Sequence, residues 1–218
     1  MNAAGGLNHV GQDVHKYGDV SRETVDRLQA YVDLLLKWQK AQNLIAPSTV
    51  PDIWVRHVVD SLQTTWALPD ARVWVDIGSG GGFPGIVTAI VLTGQPGAHV
   101  HLIESNQKKA AFLRTALRTV GAPGTVHAGR IESVAKSWGS GPVDAVSARA
   151  LAPLSELFRL CEPFTKAGAR AVFHKGQDYA REVAEASHTW SFDLVEKESV
   201  VDPSSRMLLF SHIVARPS

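Results

Sequence analysis

The sequence predicts an α/β fold: a doubly wound, mostly parallel sheet with an antiparallel last strand pair, preceded by a small helical cap. Three observations carry this. From residue 71 onward, short apolar runs alternate with helical patterns of about ten residues, the signature of a sheet covered on both faces. A glycine run, Asp76-Ile77-Gly78-Ser79-Gly80-Gly81-Gly82-Phe83-Pro84-Gly85, follows the first apolar run and opens the next helix. The last two apolar runs are separated only by residues 201–205, too short a link for a parallel crossover.

The elements follow in order. Residues 1–20 are polar and glycine-rich without a period, and are expected to form a flexible tail. Ser21 can cap a helix, with Glu23 in the first turn where negative charge is favoured. Val25, Leu28, Val32 and Leu35 then share one face. That pattern fades near Asn43. A second helix starts at Pro51, with Trp54, Val58 and Leu62 as its stripe, and Pro69 closes it. Residues 21–70 therefore read as a helical cap and residues 71–216 as the sheet-bearing domain. Within the latter, strands are expected at 72–77, 98–104, 125–128, 144–147, 169–174, 191–196 and 207–214. Helices are expected at 84–92, 107–120, 154–164 and 178–186.

Composition narrows the function classes. Of 218 residues, 44% are apolar and 20% charged, as in a globular protein. The net charge is +1, so a nucleic acid would have to be met by a local basic patch. The single cysteine, Cys161, allows no internal disulfide and fits a reducing cytosol. No basic and apolar leader opens the chain. The charge-free stretch 77–98 is broken by glycines and two prolines, leaving an apolar centre too short for a bilayer. A cytoplasmic, membrane-free protein is expected.

In a doubly wound sheet, a glycine turn between strand and helix is where a nucleotide-like ligand sits. A dinucleotide fingerprint would need Gly or Ala where Phe83 stands, and a P-loop would need a lysine. Asp76 would repel a diphosphate but suits an ammonium group, such as the methionine end of S-adenosylmethionine. Glu104, ending the second strand, can accept both ribose hydroxyls. Gly78 and Gly80 leave room for the ligand to approach.

These residues resemble the GidB family, also called RsmG. The likeness rests on the glycine run, on Leu-Ile-Glu-Ser-Asn-Gln-Lys-Lys-Ala-Ala-Phe-Leu-Arg at 102–114, on Ser-Ala-Arg-Ala at 147–150 and on Lys-Gly-Gln at 175–177. Asn43-Leu44 and the segment from Arg56 to Leu62 in the cap also match. The resemblance implies a class I (Rossmann-like) methyltransferase that methylates N7 of one guanine in 16S ribosomal RNA, within the small subunit or an assembly intermediate, and acts as a monomer. It implies that Gly78 and Phe83 contact the cofactor, that Ile131 and Glu132 flank the adenine, and that Arg149 lies at the cofactor's edge.

N7 of guanine carries no proton, so no general base is expected, and no metal. Arg149 can orient the base or hold a phosphate, the competing reading being an ion pair with a neighbouring carboxylate. Arg56, His57 and Lys175 are RNA-binding candidates; the alternatives are an Arg56–Asp60 helix-surface pair, an interface histidine and a solvated lysine. Cys161 reads as a small buried hydrophobe. The rival functions are a nicotinamide-dependent oxidoreductase, against which Phe83 stands, a methyltransferase for another RNA site, and a non-enzymatic ribosome-assembly factor with this fold.

Overall fold

The computed structural model describes residues 11–217. Ser21 caps helix α1 (Arg22–Gln39) by accepting a hydrogen bond from the Thr24 backbone N–H. The helix buries Leu28, Tyr31, Val32 and Leu35. The second cap helix is not uniform. Trp54–Val59 form a π-helical turn, in which the Asp60 N–H reaches back to Val55 O, before α2 (Asp60–Ala67) resumes regular winding. A single π turn inside a helix displaces the side chains around it and recurs at functional sites.

The domain contains strands β1 (Val73–Ile77), β2 (His99–Glu104), β3 (Gly124–Ala128), β4 (Ala145–Arg149), β5 (Arg170–Lys175), β6 (Trp190–Glu198) and β7 (Arg206–Ala215). They form one sheet in the order β3-β2-β1-β4-β5-β7-β6. The pairs from β3 to β5 are parallel, and β7 runs antiparallel to both β5 and β6, as the short final link requires. Strand order reverses between β1 and β4. The crevice beyond the carboxyl ends of that pair is the ligand position of open α/β sheets.

Helices α3 (Gly85–Val91) and α4 (Gln107–Val120) cover one face together with the cap; α5 (Ile131–Lys136), α6 (Leu154–Thr165) and α7 (Tyr179–Ser187) cover the other. Asn106 caps α4 through hydrogen bonds from the Lys108 and Lys109 N–H groups, and Gly121 ends it in the left-handed conformation. Helix α5 has no counterpart among the sequence expectations: at six residues it carries too little periodicity to be read.

The cap has no core of its own. Leu28, Tyr31, Trp54, Leu62, Trp74 and Phe112, from cap and domain alike, belong to one continuous cluster. The flexible tail expected over residues 1–20 also needs correction. Residues 1–10 lie outside the described residues. Gly11–Lys16 form a 3-10 helix, however, and Val14 is only 1% exposed within the shared core. An apolar valine amid glycine and polar residues has no period to reveal it.

The seam between cap and domain runs along the glycine run. The Tyr31 hydroxyl donates to Gly81 O at 2.5 Å, and a Cβ on Gly81 would stand 2.8 Å from Leu44 O. Gly81→Ala should therefore push cap and turn apart, at a cost of about 1–3 kcal/mol in urea unfolding.

Candidate active site

The carboxyl edge of the sheet holds a cleft of about 680 Å³. Its floor is the glycine turn, with Gly78, Ser79, Gly80 and Gly81 all exposed to it. One wall comes from β2 and the α5 start (Glu104, Ile131, Glu132), the other from the cap and the segment after β4. The sequence-predicted residues Gly78, Gly80, Phe83, Glu104, Ile131, Glu132 and Arg149 thus line one cleft, and His57 joins them. Leu44, Lys109, Arg130 and Leu151 also line it; sequence reasoning did not single them out. For Leu44 the matching cap motif was the available signal.

Glu104 is anchored for a recognition role. One carboxylate oxygen accepts the Gly80 N–H at 2.8 Å and the other the Asn106 N–H at 2.7 Å. A carboxylate offers about four lone-pair sites, so acceptor capacity remains for two hydroxyls. At Gly80, φ is +55° and a Cβ would meet nothing closer than 3.7 Å, so this glycine leaves space over the turn. Gly82 and Gly85 serve the protein instead: side chains there would strike Tyr31 and Asp76.

Asp76 requires a correction. It is 1% exposed and lies beneath the turn, not in the cleft. Ser147 donates to its Oδ1 at 2.7 Å, and Ser79 Oγ donates to its main-chain carbonyl at 2.9 Å. Oδ2 lies against the Gly85 backbone. Burial raises its pKa to about 6, while bonds from Ser147 and Ser79 pull it down. Asp76 thus ties β1, β4 and the start of α3 together, and no ammonium group can reach it directly.

Phe83 also faces inward. Its ring packs on Tyr31 at 5.2 Å and on His57 at 5.0 Å, and the Arg149 guanidinium lies over it at 5.4 Å. Only 6% of it is exposed.

Arg149 ends β4 and reaches into the cap. Its Nη1 donates to Arg56 O at 2.9 Å and to Asp60 Oδ2 at 3.1 Å, and its Nη2 donates to His57 Nδ1 at 2.5 Å. The ion-pair reading of Arg149 is therefore met, with Asp60 as partner. The pair expected between Arg56 and Asp60 gives way to it, because the π turn aims Asp60 at the domain. His174 completes the assembly: Nδ1 lies 3.3 Å from Asp60 Oδ1 and Nε2 2.8 Å from Thr64 Oγ1.

Since Arg149 can only donate, His57 Nδ1 must accept, leaving the proton on Nε2, 2.8 Å from Thr49 Oγ1. Burial, and then the Arg149 charge, lower the His57 pKa to about 4. The imidazole is neutral at physiological pH.

Lys175 needs correction as well. Its ammonium is buried against Ala152 O and Glu182 Oε2, both at 2.7 Å, so it is neither a phosphate contact nor a solvated lysine. Arg56 has an exposed side chain, and no hydrogen bond or ion pair engages its guanidinium among the described residues. Cys161 is fully buried with its thiol pushed up to about 12, inert as expected.

Fold and cleft define a class I S-adenosylmethionine-dependent methyltransferase. A Bacillus cereus O-methyltransferase solved with S-adenosylhomocysteine superposes with a TM-score of 0.56 at 14% identity, covering 83% of this chain and 90% of that one, a likeness of fold alone. The chain belongs to the GidB family, rRNA small subunit methyltransferase G, whose model matches residues 24–209. Ribosomal RNA small subunit methyltransferase G of Bradyrhizobium sp. (strain BTAi1) is 55% identical over 80% of this chain and 78% of its own. The protein of that name from Rhizobium meliloti (strain 1021) is 50% identical over 90% and 93%. No helix among the described residues is long and apolar enough to cross a membrane.

Two outcomes are expected. Glu104→Ala should weaken S-adenosylmethionine binding by about 1.5–3 kcal/mol in calorimetry, the range for charge-assisted hydrogen bonds. His57, with a folded pKa near 4 against an ordinary 6.5, binds its proton more readily when unfolded, so it contributes stability that is lost as pH falls through that window. Melting curves of His57→Gln should lose part of this pH dependence. Part remains, because His101 is lowered to about 4 in the same sense and Asp76, raised to about 6, acts in the opposite sense.

Proposed function

We propose that this chain transfers the methyl group of S-adenosylmethionine to N7 of one guanine in 16S ribosomal RNA, in the small subunit or an assembly intermediate, as a cytoplasmic monomer. The observation that carries the reading is the cleft, where an anchored Glu104 faces an open glycine turn in a chain of this family. Bound there, the cofactor supplies a methyl group on a positively charged sulfur. Glu104 would hold the ribose hydroxyls, Ile131 and Glu132 would flank the adenine, and Gly78 and Gly80 would give the chain of the ligand room to lie on the turn.

The reaction is an in-line displacement, whose first demand is alignment of nucleophile, methyl and sulfur. N7 presents a lone pair and no proton, so the protein has to place the base and need not deprotonate it. Arg149 suits placement. Three of its five N–H groups are held by the cap, which fixes the plane of the fork, and two remain for guanine O6, a phosphate or the cofactor carboxylate. Its charge belongs beside O6 and not against N7, which becomes cationic as the methyl arrives; Asp60 offsets that charge from behind.

The decisive experiment is to map 7-methylguanine in 16S RNA from cells with and without the gene. Loss at one position on deletion, restored by the plasmid-borne gene, is the expected result. A lysine cannot copy the fork. Arg149→Lys should slow single-turnover methyl transfer by about tenfold or more and lower the melting midpoint, each 1.4 kcal/mol of barrier being a decade.

A further inference from the structure

A second cavity, of about 860 Å³, adjoins the cofactor cleft. The two share Thr49, His57 and residues 149–152, so that one short segment is the wall between them. That wall follows directly from β4. Ala150 takes a φ of +51°, unusual for a residue with a side chain, and Leu151 folds back until its side chain would touch a Cβ on Gly78. Behind the wall, the second cavity is bounded by the ends of α2, β5 and β7 and by residues 199–205.

We infer that the second cavity is the compartment for the acceptor nucleotide, and that a purine base swung out of its RNA helix enters it with its imidazole edge toward the wall at residues 149–152. This rests on the methyltransferase reading above. Enzymes that modify a base inside folded nucleic acid extrude it into a pocket. A cleft of 680 Å³ is of the size that takes one small-molecule ligand. The nucleophile needs its own space within about 3–3.5 Å of the methyl group. Only across the shared wall do the two cavities meet.

The chemistry of the lining fits a neutral base with a phosphate outside. The ionic groups at its depth are already balanced in pairs, Arg149 with Asp60 at 3.1 Å and Lys175 with Glu182 at 2.7 Å. Glu182 uses one oxygen for Lys175 and for the Leu154 N–H, and the other is free to accept from a base amine. A fixed negative charge at Asp60 also favours the cation that forms on the base. Arg56, with its disengaged guanidinium, is where the nucleotide's phosphate is met.

Gly176 gives a direct test. It lines this cavity but not the cofactor cleft, and a Cβ there would have nothing within 4 Å. Gly176→Phe should narrow the compartment while leaving S-adenosylmethionine affinity and melting near wild type. Gly139→Phe, equally open and outside both cavities, is the control. On small-subunit particles, Gly176→Phe should slow single-turnover transfer by about 100-fold. A folded, cofactor-binding Gly176→Phe enzyme that keeps the wild-type rate overturns the compartment. Wild-type protein provides a second measurement that needs no variant: particles carrying 6-thioguanine at the target position, irradiated with bound enzyme. Crosslinks to residues 149–153 or 174–176 are expected; crosslinks confined to peptides outside the cavity overturn it. Wild-type enzyme that moves no methyl to guanine N7 would refute the methyltransferase reading instead, a result separate from either.

Discussion

The contact between Arg149 and the π turn of the cap holds the ligand edge together. Arg149 ends the strand next to the reversal of strand order, and Asp60, His57 and the Arg56 carbonyl belong to the cap. Both charged side chains are mostly withdrawn from water, so the attraction must outweigh a substantial desolvation penalty. It does so with company: Asp60 also faces His174, and His57 stays neutral as an acceptor. Such an arrangement is costly to break from one side, because it strands a buried charge. The fork is thereby rigid, and a rigid fork is what a reaction limited by alignment needs.

Beneath this contact, the glycine run meets two demands at once. Its outer positions, Gly78 and Gly80, keep the cleft open, while Gly81, Gly82 and Gly85 allow Leu44, Tyr31 and Asp76 to close in from behind. A run of this length is thus explained by packing as much as by ligand approach. The buried carboxylate of Asp76 fastens the turn to β4 through Ser147, which keeps the two strands that flank the crevice in step.

The sheet and the cleft were legible in the sequence because both rest on local signals: apolar runs of fixed length, a helix such as 107–120 with matched caps, and an acidic residue at the end of the second strand. What stayed hidden depends on long-range partners. Whether a carboxylate beside a glycine turn faces ligand or lies under it is decided by Ser147, 71 residues away. Lys175 looks like any strand-end lysine until Glu182 and the Ala152 carbonyl are folded against it. The π turn leaves no mark either, since its apolar stripe reads equally well as regular helix.

The shared core has a consequence for synthesis on the ribosome. Helix α1 emerges first, but the residues that cover its apolar face include Phe112 on α4. The end of α4 follows the end of α1 by about 80 residues, a delay of roughly 4–16 s at bacterial elongation rates. During that interval Leu28, Tyr31 and Leu35 are without their final cover. The N-terminal segment is made early and docks late, so the nascent chain is at its most adhesive before the sheet is complete.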